Sequence, residues 1–129
     1  MARQEECLYT KEHEWVLREG DEIVVGITDF AQQELGDIVY VDMGEPGREV
    51  AAGEAIGDIE SVKAVAQVYA PVGGTVTAVN EELADAPEKV NQDPFGEGWL
   101  VRMKPADPAE LDGLMDHEAY RRFLEEEGH

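Results

Sequence analysis

Apolar and polar positions alternate at short range through most of the chain, and near the C-terminus they switch to helical spacing. Leu8 and Tyr9 lead into Trp15-Val16-Leu17, a Gly20-Asp21 pair and Ile23-Val24-Val25-Gly26-Ile27, which predicts a hairpin about a Gly-Asp turn. A short helix should follow. Thr28 or Asp29 can cap its start, Phe30 and Gln32-Gln33-Glu34 fit its body, and Gly36 ends it. The centre reads as short strands parted by turn signals. Ile38-Val39-Tyr40-Val41 is closed by Gly44-Glu45-Pro46-Gly47, then come Ala55 to Ile59, Val65 to Ala70 and Thr75 to Val79. Val90 to Pro94 reads as a loop, and Trp99 to Met103 as a closing strand stopped by Pro105. Strands this short and this closely spaced predict a small sandwich or barrel.

The tail differs. Pro108-Ala109-Glu110-Leu111 opens a short helix with Leu111, Leu114 and Met115 on one face, and Asp116 can cap a second helix carrying Tyr120, Phe123 and Leu124 on one face. The chain thus reads as one domain over residues 1–129, with a β core over about 8–104 and a helical tail over about 108–127 that packs across the outside of the sheet. Within the core, the stretch from Pro46 to Ile56 is weakly echoed from Val72 to Leu83. Both read glycine, gap, valine, turn, glutamate, apolar, a pattern that suggests two similar halves joined by one hairpin.

Charge narrows the partners. Thirty acidic and ten basic residues leave a formal net charge of −20. Such a surface repels phosphate backbones and anionic lipids, so neither nucleic acid nor membrane is expected, and proteins bearing basic patches are favoured. No apolar run is long enough to span a bilayer. The start lacks a secretory or transit signal, so the chain reads as soluble and cytoplasmic, or as a processed mitochondrial-matrix form. Cys7, the only cysteine, can form no internal disulfide, and its place near a fraying terminus suggests an incidental role. His13, His117 and His129 are scattered, and no metal-ligand spacing, phosphate loop or nucleophile elbow occurs. No catalytic apparatus is evident, so the chain is read as a non-enzyme that binds no metal.

One residue stands out physically. Lys63, one of four lysines, sits among Val62, Ala64 and Val65 in what should be a tight hairpin between the echoed halves. A lysine there points into solvent from a rigid mount, with no carboxylate within two residues to pair with. Pattern alone leaves it either an ordinary turn lysine or an attachment point for an acyl group, which would remove its charge.

Glu60-Ser61-Val62-Lys63-Ala64, followed by Tyr69-Ala70-Pro71-Val72-Gly73-Gly74, resembles the lipoylation segment of the glycine cleavage H-protein family. Further motifs match in order: His13-Glu14-Trp15, Gly26-Ile27-Thr28-Asp29 with Ala31-Gln32, Leu35 to Val39, Val90 to Pro94, and Gly98-Trp99, together spanning residues 8–125. The resemblance implies a mainly β lipoyl/biotinyl-type barrel-sandwich hybrid with short C-terminal helices and lipoate bound as an amide to Lys63. The arm would reach on the order of 10–15 Å, from about ten single bonds of ~1.5 Å. It would carry an aminomethyl group from a pyridoxal-phosphate-dependent glycine decarboxylase to a tetrahydrofolate-dependent aminomethyltransferase, with dihydrolipoamide dehydrogenase reoxidising the dithiol. A lipoylating enzyme would load the lysine, and the protein is expected to be monomeric.

The resemblance also assigns lesser roles. Glu60 would be a recognition point for the lipoylating enzyme, Glu14 would help receive the loaded amine, and His13 and Trp15 would be structural. Gly47 and Gly74 would bracket the lysine as in lipoyl domains, a placement that turn chemistry also explains. Where the family commonly has a small residue and then Ser-Asp, this chain has Val65-Ala66-Gln67, so a hydroxyl and a carboxylate beside the arm are missing. Methionines flanking the lysine of biotinyl carriers are replaced by Val62 and Ala64. The Asp before the lysine and the Ala/Pro linkers of 2-oxoacid dehydrogenase lipoyl domains are absent. An H-like protein that relays lipoyl groups to other enzymes would share the same carrier residues and remains the alternative function.

Overall fold

The computed structural model describes residues 3–127. Met1, Ala2, Gly128 and His129 lie outside the described residues, and with them the first residues of the leader reading and the third histidine. Among the described residues, nine strands form two antiparallel sheets. The larger holds β1 (Leu8–Tyr9), β2 (Glu14–Glu19), β3 (Glu22–Ile27), β9 (Val101–Pro105), β8 (Gly74–Val79) and β5 (Glu49–Val50), in that spatial order. The smaller holds β4 (Ile38–Asp42), β6 (Ala55–Ser61) and β7 (Val65–Tyr69), with β6 in the middle. The two echoed segments meet edge to edge, since β5 pairs with β8 through Glu49 opposite Thr75 and Val50 opposite Gly74.

The two sheets enclose one core. Val16, Val25, Val76, Val101 and Met103 from the larger sheet meet Ile38, Val41, Ile56, Ile59 and Val68 from the smaller. Each such side chain contributes ~1.5–3 kcal/mol on burial, which is why packing can hold a strand as short as β5. Two packed sheets of short strands agree with the small sandwich or barrel expected from the strand spacing and with the barrel-sandwich hybrid that the resemblance implies. The first hairpin turns at Gly20, whose φ of 64° suits the first central position of a two-residue turn, with Glu19 facing Glu22. Of the two possible caps, Thr28 serves α1 (Asp29–Leu35), its hydroxyl accepting from the Ala31 N–H.

A second apolar cluster lies beneath the tail. Cys7, Tyr9, Trp15, Val24 and Tyr120 pack there, with Tyr9 and Tyr120 stacked at a centroid distance of 4.5 Å. Tyr120 sits on α3 (His117–Glu126), which Asp116 caps. Its hydroxyl meets His13 Nδ1 at 2.8 Å and Thr28 Oγ1 at 2.9 Å, so the tail is tied to the first hairpin. Cys7 is therefore part of a packed cluster, 2% exposed, and not on a fraying end. Burial pushes its thiol pKa up to about 12, which keeps it protonated and unreactive.

Three boundaries differ from expectation. The segment read as a loop contains α2 (Lys89–Gln92), a single turn anchored by the buried Val90 and too short to show periodicity. The closing strand begins at Val101 and not at Trp99, with the Leu100 N–H just before it donating to the Val25 carbonyl of β3. Pro105 ends the strand opposite Gly74, where it need not donate a hydrogen bond. The tail's first helix is a 3₁₀ segment, Pro108–Gly113, capped by Asp107. Among the described residues, no helix is long and apolar enough to cross a membrane.

Candidate functional site

Glu60 faces Val65 across the β6–β7 hairpin, leaving Ser61 to Ala64 to make the turn. The Ser61 N–H donates to the Ala64 carbonyl at 2.8 Å, and the Ser61 hydroxyl accepts from the N–H groups of Lys63 (3.3 Å) and Ala64 (3.1 Å). The Val62 N–H donates to the Asp37 carbonyl at 3.0 Å. Every N–H of the tip is thus satisfied without the Lys63 side chain, and the tip is fastened to the corner between α1 and β4.

That corner is itself clamped. Asn91, on α2, accepts from the Ile38 N–H at 2.9 Å and donates to the Gly36 carbonyl and to Gln32 Oε1, each at 2.9 Å. Gly36 caps α1 with φ 79°, a conformation that favours glycine. The Lys63 stem passes above it: a methyl group on Gly36 would stand 3.5 Å from Lys63 Cε. Lys63 is exposed and, among the described residues, makes no ion pair. By contrast Lys89 pairs with Glu82 at 2.7 Å, and Lys104 lies 3.8 Å from Asp21. Lys11 stands in the exposed loop between β1 and β2.

Glu60 is half-buried in the middle of the smaller sheet's outer face, between Tyr40 on β4 and Val65 on β7. Glu14 is not on the surface. Only 2% exposed, it bridges the two sheets, accepting from the Thr10 hydroxyl at 2.7 Å and from the Tyr69 N–H at 3.1 Å. Burial raises its pKa, and the hydrogen bonds from Thr10 and Tyr69 oppose the rise. Glu14 lines a cavity of about 290 Å³ with Thr10, Gly53, Tyr69, Pro71 and Leu114 among its other walls. Gln67 is exposed on β7, and Ala66 beside it is half-buried.

The remaining motif residues have structural tasks. Trp15 is buried and donates its indole N–H to the Pro94 carbonyl at 2.9 Å. It lies so close over Gly26, its cross-strand neighbour, that a β-carbon there would stand 2.6 Å from the indole. His13 holds a left-handed φ of 68° beside Tyr120. Gly47 has φ 94°, whereas Gly74 is required because a β-carbon would overlap the Lys104 carbonyl. No cluster of three or more metal-ligating side chains occurs among the described residues. Sequence reasoning read Gly36 as the end of the first helix, as the structure has it, but gave neither it nor Ser61, Asp37 and Asn91 a task in mounting the lysine. A serine opening a turn was a usable signal, but nothing local marks the clamp of Asn91.

The lysine is thus presented on a prebuilt mount. The family model described as glycine cleavage H-protein matches residues 7–127. The glycine cleavage system H protein of Anaeromyxobacter sp. (strain K) is 53% identical over 127 residues, covering 98% of this chain and 99% of the relative. That of a Thermus thermophilus strain is 56% identical over 119 residues, covering 92% and 93%. The crystal structure of a glycine cleavage system H protein from Mycobacterium marinum superimposes with a TM-score of 0.75 at 36% identity, over 84% of this chain and 95% of that one. With the motif order, the fold and these matches in agreement, the chain belongs to the glycine cleavage H-protein family.

Proposed function

We propose that this chain is the lipoylated shuttle of the glycine cleavage system, working as one unit with Lys63 as its attachment site. The observation that carries the reading is the unpaired Lys63 side chain on a tip whose backbone N–H groups are all bonded elsewhere. The residues fit the group. An amide-linked chain needs an exposed primary amine, a fixed base and room beside it, and Lys63 over Gly36 supplies all three. On loading, the neutral Nζ forms a C–N bond with the carboxyl carbon of an activated lipoyl donor. The bond to the donor's leaving group breaks with its electron pair, and the amine gives up one proton.

When bound, lipoate would supply a disulfide to accept the aminomethyl group at the glycine decarboxylase, a thiol to give it up at the aminomethyltransferase, and a dithiol for dihydrolipoamide dehydrogenase to reoxidise. The chain's own residues position and shelter. Val65 to Tyr69 spans four strand steps of ~3.3 Å, roughly 13 Å, which matches the reach of the arm. An arm laid along β7 would therefore end beside the Glu14 cavity. There a carboxylate whose burial disfavours its lone charge would gain from an arriving ammonium group. An exposed ion pair contributes at most ~1 kcal/mol, and the burial of Glu14 lifts that ceiling. With Ala66 and Gln67 in place of a hydroxyl and a carboxylate, Glu14 carries the electrostatic role.

Peptide mass spectrometry after co-expression with a lipoate ligase tests the attachment. A single lipoyl amide on Lys63, lost in a folded Lys63→Arg variant, is expected. Modification of Lys11, Lys89 or Lys104, or persistence in the variant, would refute it.

A further inference from the structure

The outer face of the β4–β6–β7 sheet has an unusual composition for an uncovered surface. Tyr40, Glu60 and Val65 stand in one cross-strand row, and Asp42, Asp58 and Gln67 form the next. Residues directly opposite on adjacent strands share a face, so these six side chains form a contiguous surface. Tyr40 is 49% exposed and Val65 67%, and Val39, at the β4 register shift, and Val62, at the tip, are 53% and 70% exposed. These four are the large apolar side chains left exposed among the described residues, and all lie on or beside the strands that carry Lys63. Around them Glu60, Asp58 and Asp42 make no ion pair with any described residue. Apolar residues clustered within an acidic rim have the composition of a docking patch.

Reach identifies the occupant. An enzyme that acylates Lys63 must hold Nζ at its own reaction centre, and the lysine stem extends only roughly 6 Å, five single bonds of ~1.5 Å. With strands ~4.8 Å apart, the row from Val65 to Tyr40 spans roughly 10 Å, small enough to fall within the footprint of an enzyme engaged at the tip of the same hairpin. A partner that works on the loaded arm, whose whole reach is 10–15 Å or so, can stand off by roughly a further 4–9 Å. We propose that this face, Tyr40, Glu60 and Val65 with Val62 at the tip, is where the lipoyl-attaching enzyme docks, presenting an apolar ridge flanked by lysine or arginine. The inference rests on Lys63 being the attachment site and deepens that reading by naming the surface its modifying enzyme reads.

The test uses the full unmodified chain, purified lipoate ligase, ATP and lipoate, with modification followed by intact mass. Tyr40→Ser/Val65→Thr and, separately, Val62→Ser should each raise the KM for the chain, the double variant about tenfold or more, as for removal of a central interface anchor, with kcat within about twofold. Tyr40→Phe, which keeps the apolar ring, should remain within about twofold of the parent. Calorimetric affinity of the ligase for Lys63→Arg chains carrying the same substitutions should fall by the same factor, a readout independent of carrier activity. Unchanged KM and affinity in the double variant would overturn the proposal. So would unchanged lipoylation with a loss of docking to the glycine-decarboxylating enzyme, which would assign the face to that partner. Failure of the parent to be modified at Lys63 would overturn the attachment reading and this face with it. Normal parent modification with indifferent variants would overturn the face alone.

Discussion

Lys63 and Glu14 handle charge in opposite ways. Lys63 is held in water above a glycine, where its amine is accessible, while Glu14 is sealed between the sheets by the Thr10 hydroxyl and the Tyr69 N–H. Because folding raises the Glu14 pKa, the folded protein binds that proton more tightly than the unfolded chain does. The stability this gives is fully present below the ordinary value of 4.5 and is lost as pH rises through the folded value. Glu14→Gln removes the titration but can still accept the Tyr69 N–H. Its melting temperature relative to the parent should therefore rise between pH 4 and pH 8 by roughly 2–5 °C in thermal denaturation.

At the scale of elements, the β6–β7 hairpin is steadied by what lies beside it. Asn91 holds both sides of Asp37, and the Asp37 carbonyl holds Val62. Asn91→Asp keeps the acceptor for the Ile38 N–H but loses both donated bonds. Losing bonds of this kind costs ~1–3 kcal/mol when the partners are left unsatisfied. The Val62 amide should then exchange with deuterium at least about tenfold faster, with the β2–β3 amides unchanged. Equal exchange at Val62 would mean that the tip is stiff without the clamp. The hairpins, the first helix and the tail helices could be read from the sequence because alternation, caps and turn residues are local signals. The clamp could not, since Asn91 acts on residues more than fifty positions away. The burial of Glu14 was hidden for the same reason: its partner Tyr69 lies 55 residues on. β5 has only two residues, and its pairing with β8 is the work of the fold. Lys63 itself could be located from its flanks, but its role came from the motif; spacing left it an ordinary turn lysine.

The whole molecule carries a formal charge of −20, and among the described residues the cations held in ion pairs are Arg3, Lys89, Arg102 and Lys104. If that field steers docking, affinity for the glycine-decarboxylating partner should fall as salt rises from ~10 mM to ~150 mM, over which the Debye length shrinks from ~30 Å to ~8 Å. Titration calorimetry at the two salts measures this, and a flat response would leave the charge a solubilising role. The most direct test of the shuttle is exchange of labelled bicarbonate into the glycine carboxyl by the decarboxylating enzyme, with this protein lipoylated at Lys63 as the only carrier. Exchange that depends on the lipoylated chain and is abolished in Lys63→Arg is the predicted result. Absence of exchange with fully lipoylated protein, while that protein still donates lipoyl groups to other lipoate-dependent enzymes, would contradict it and establish the relay role instead.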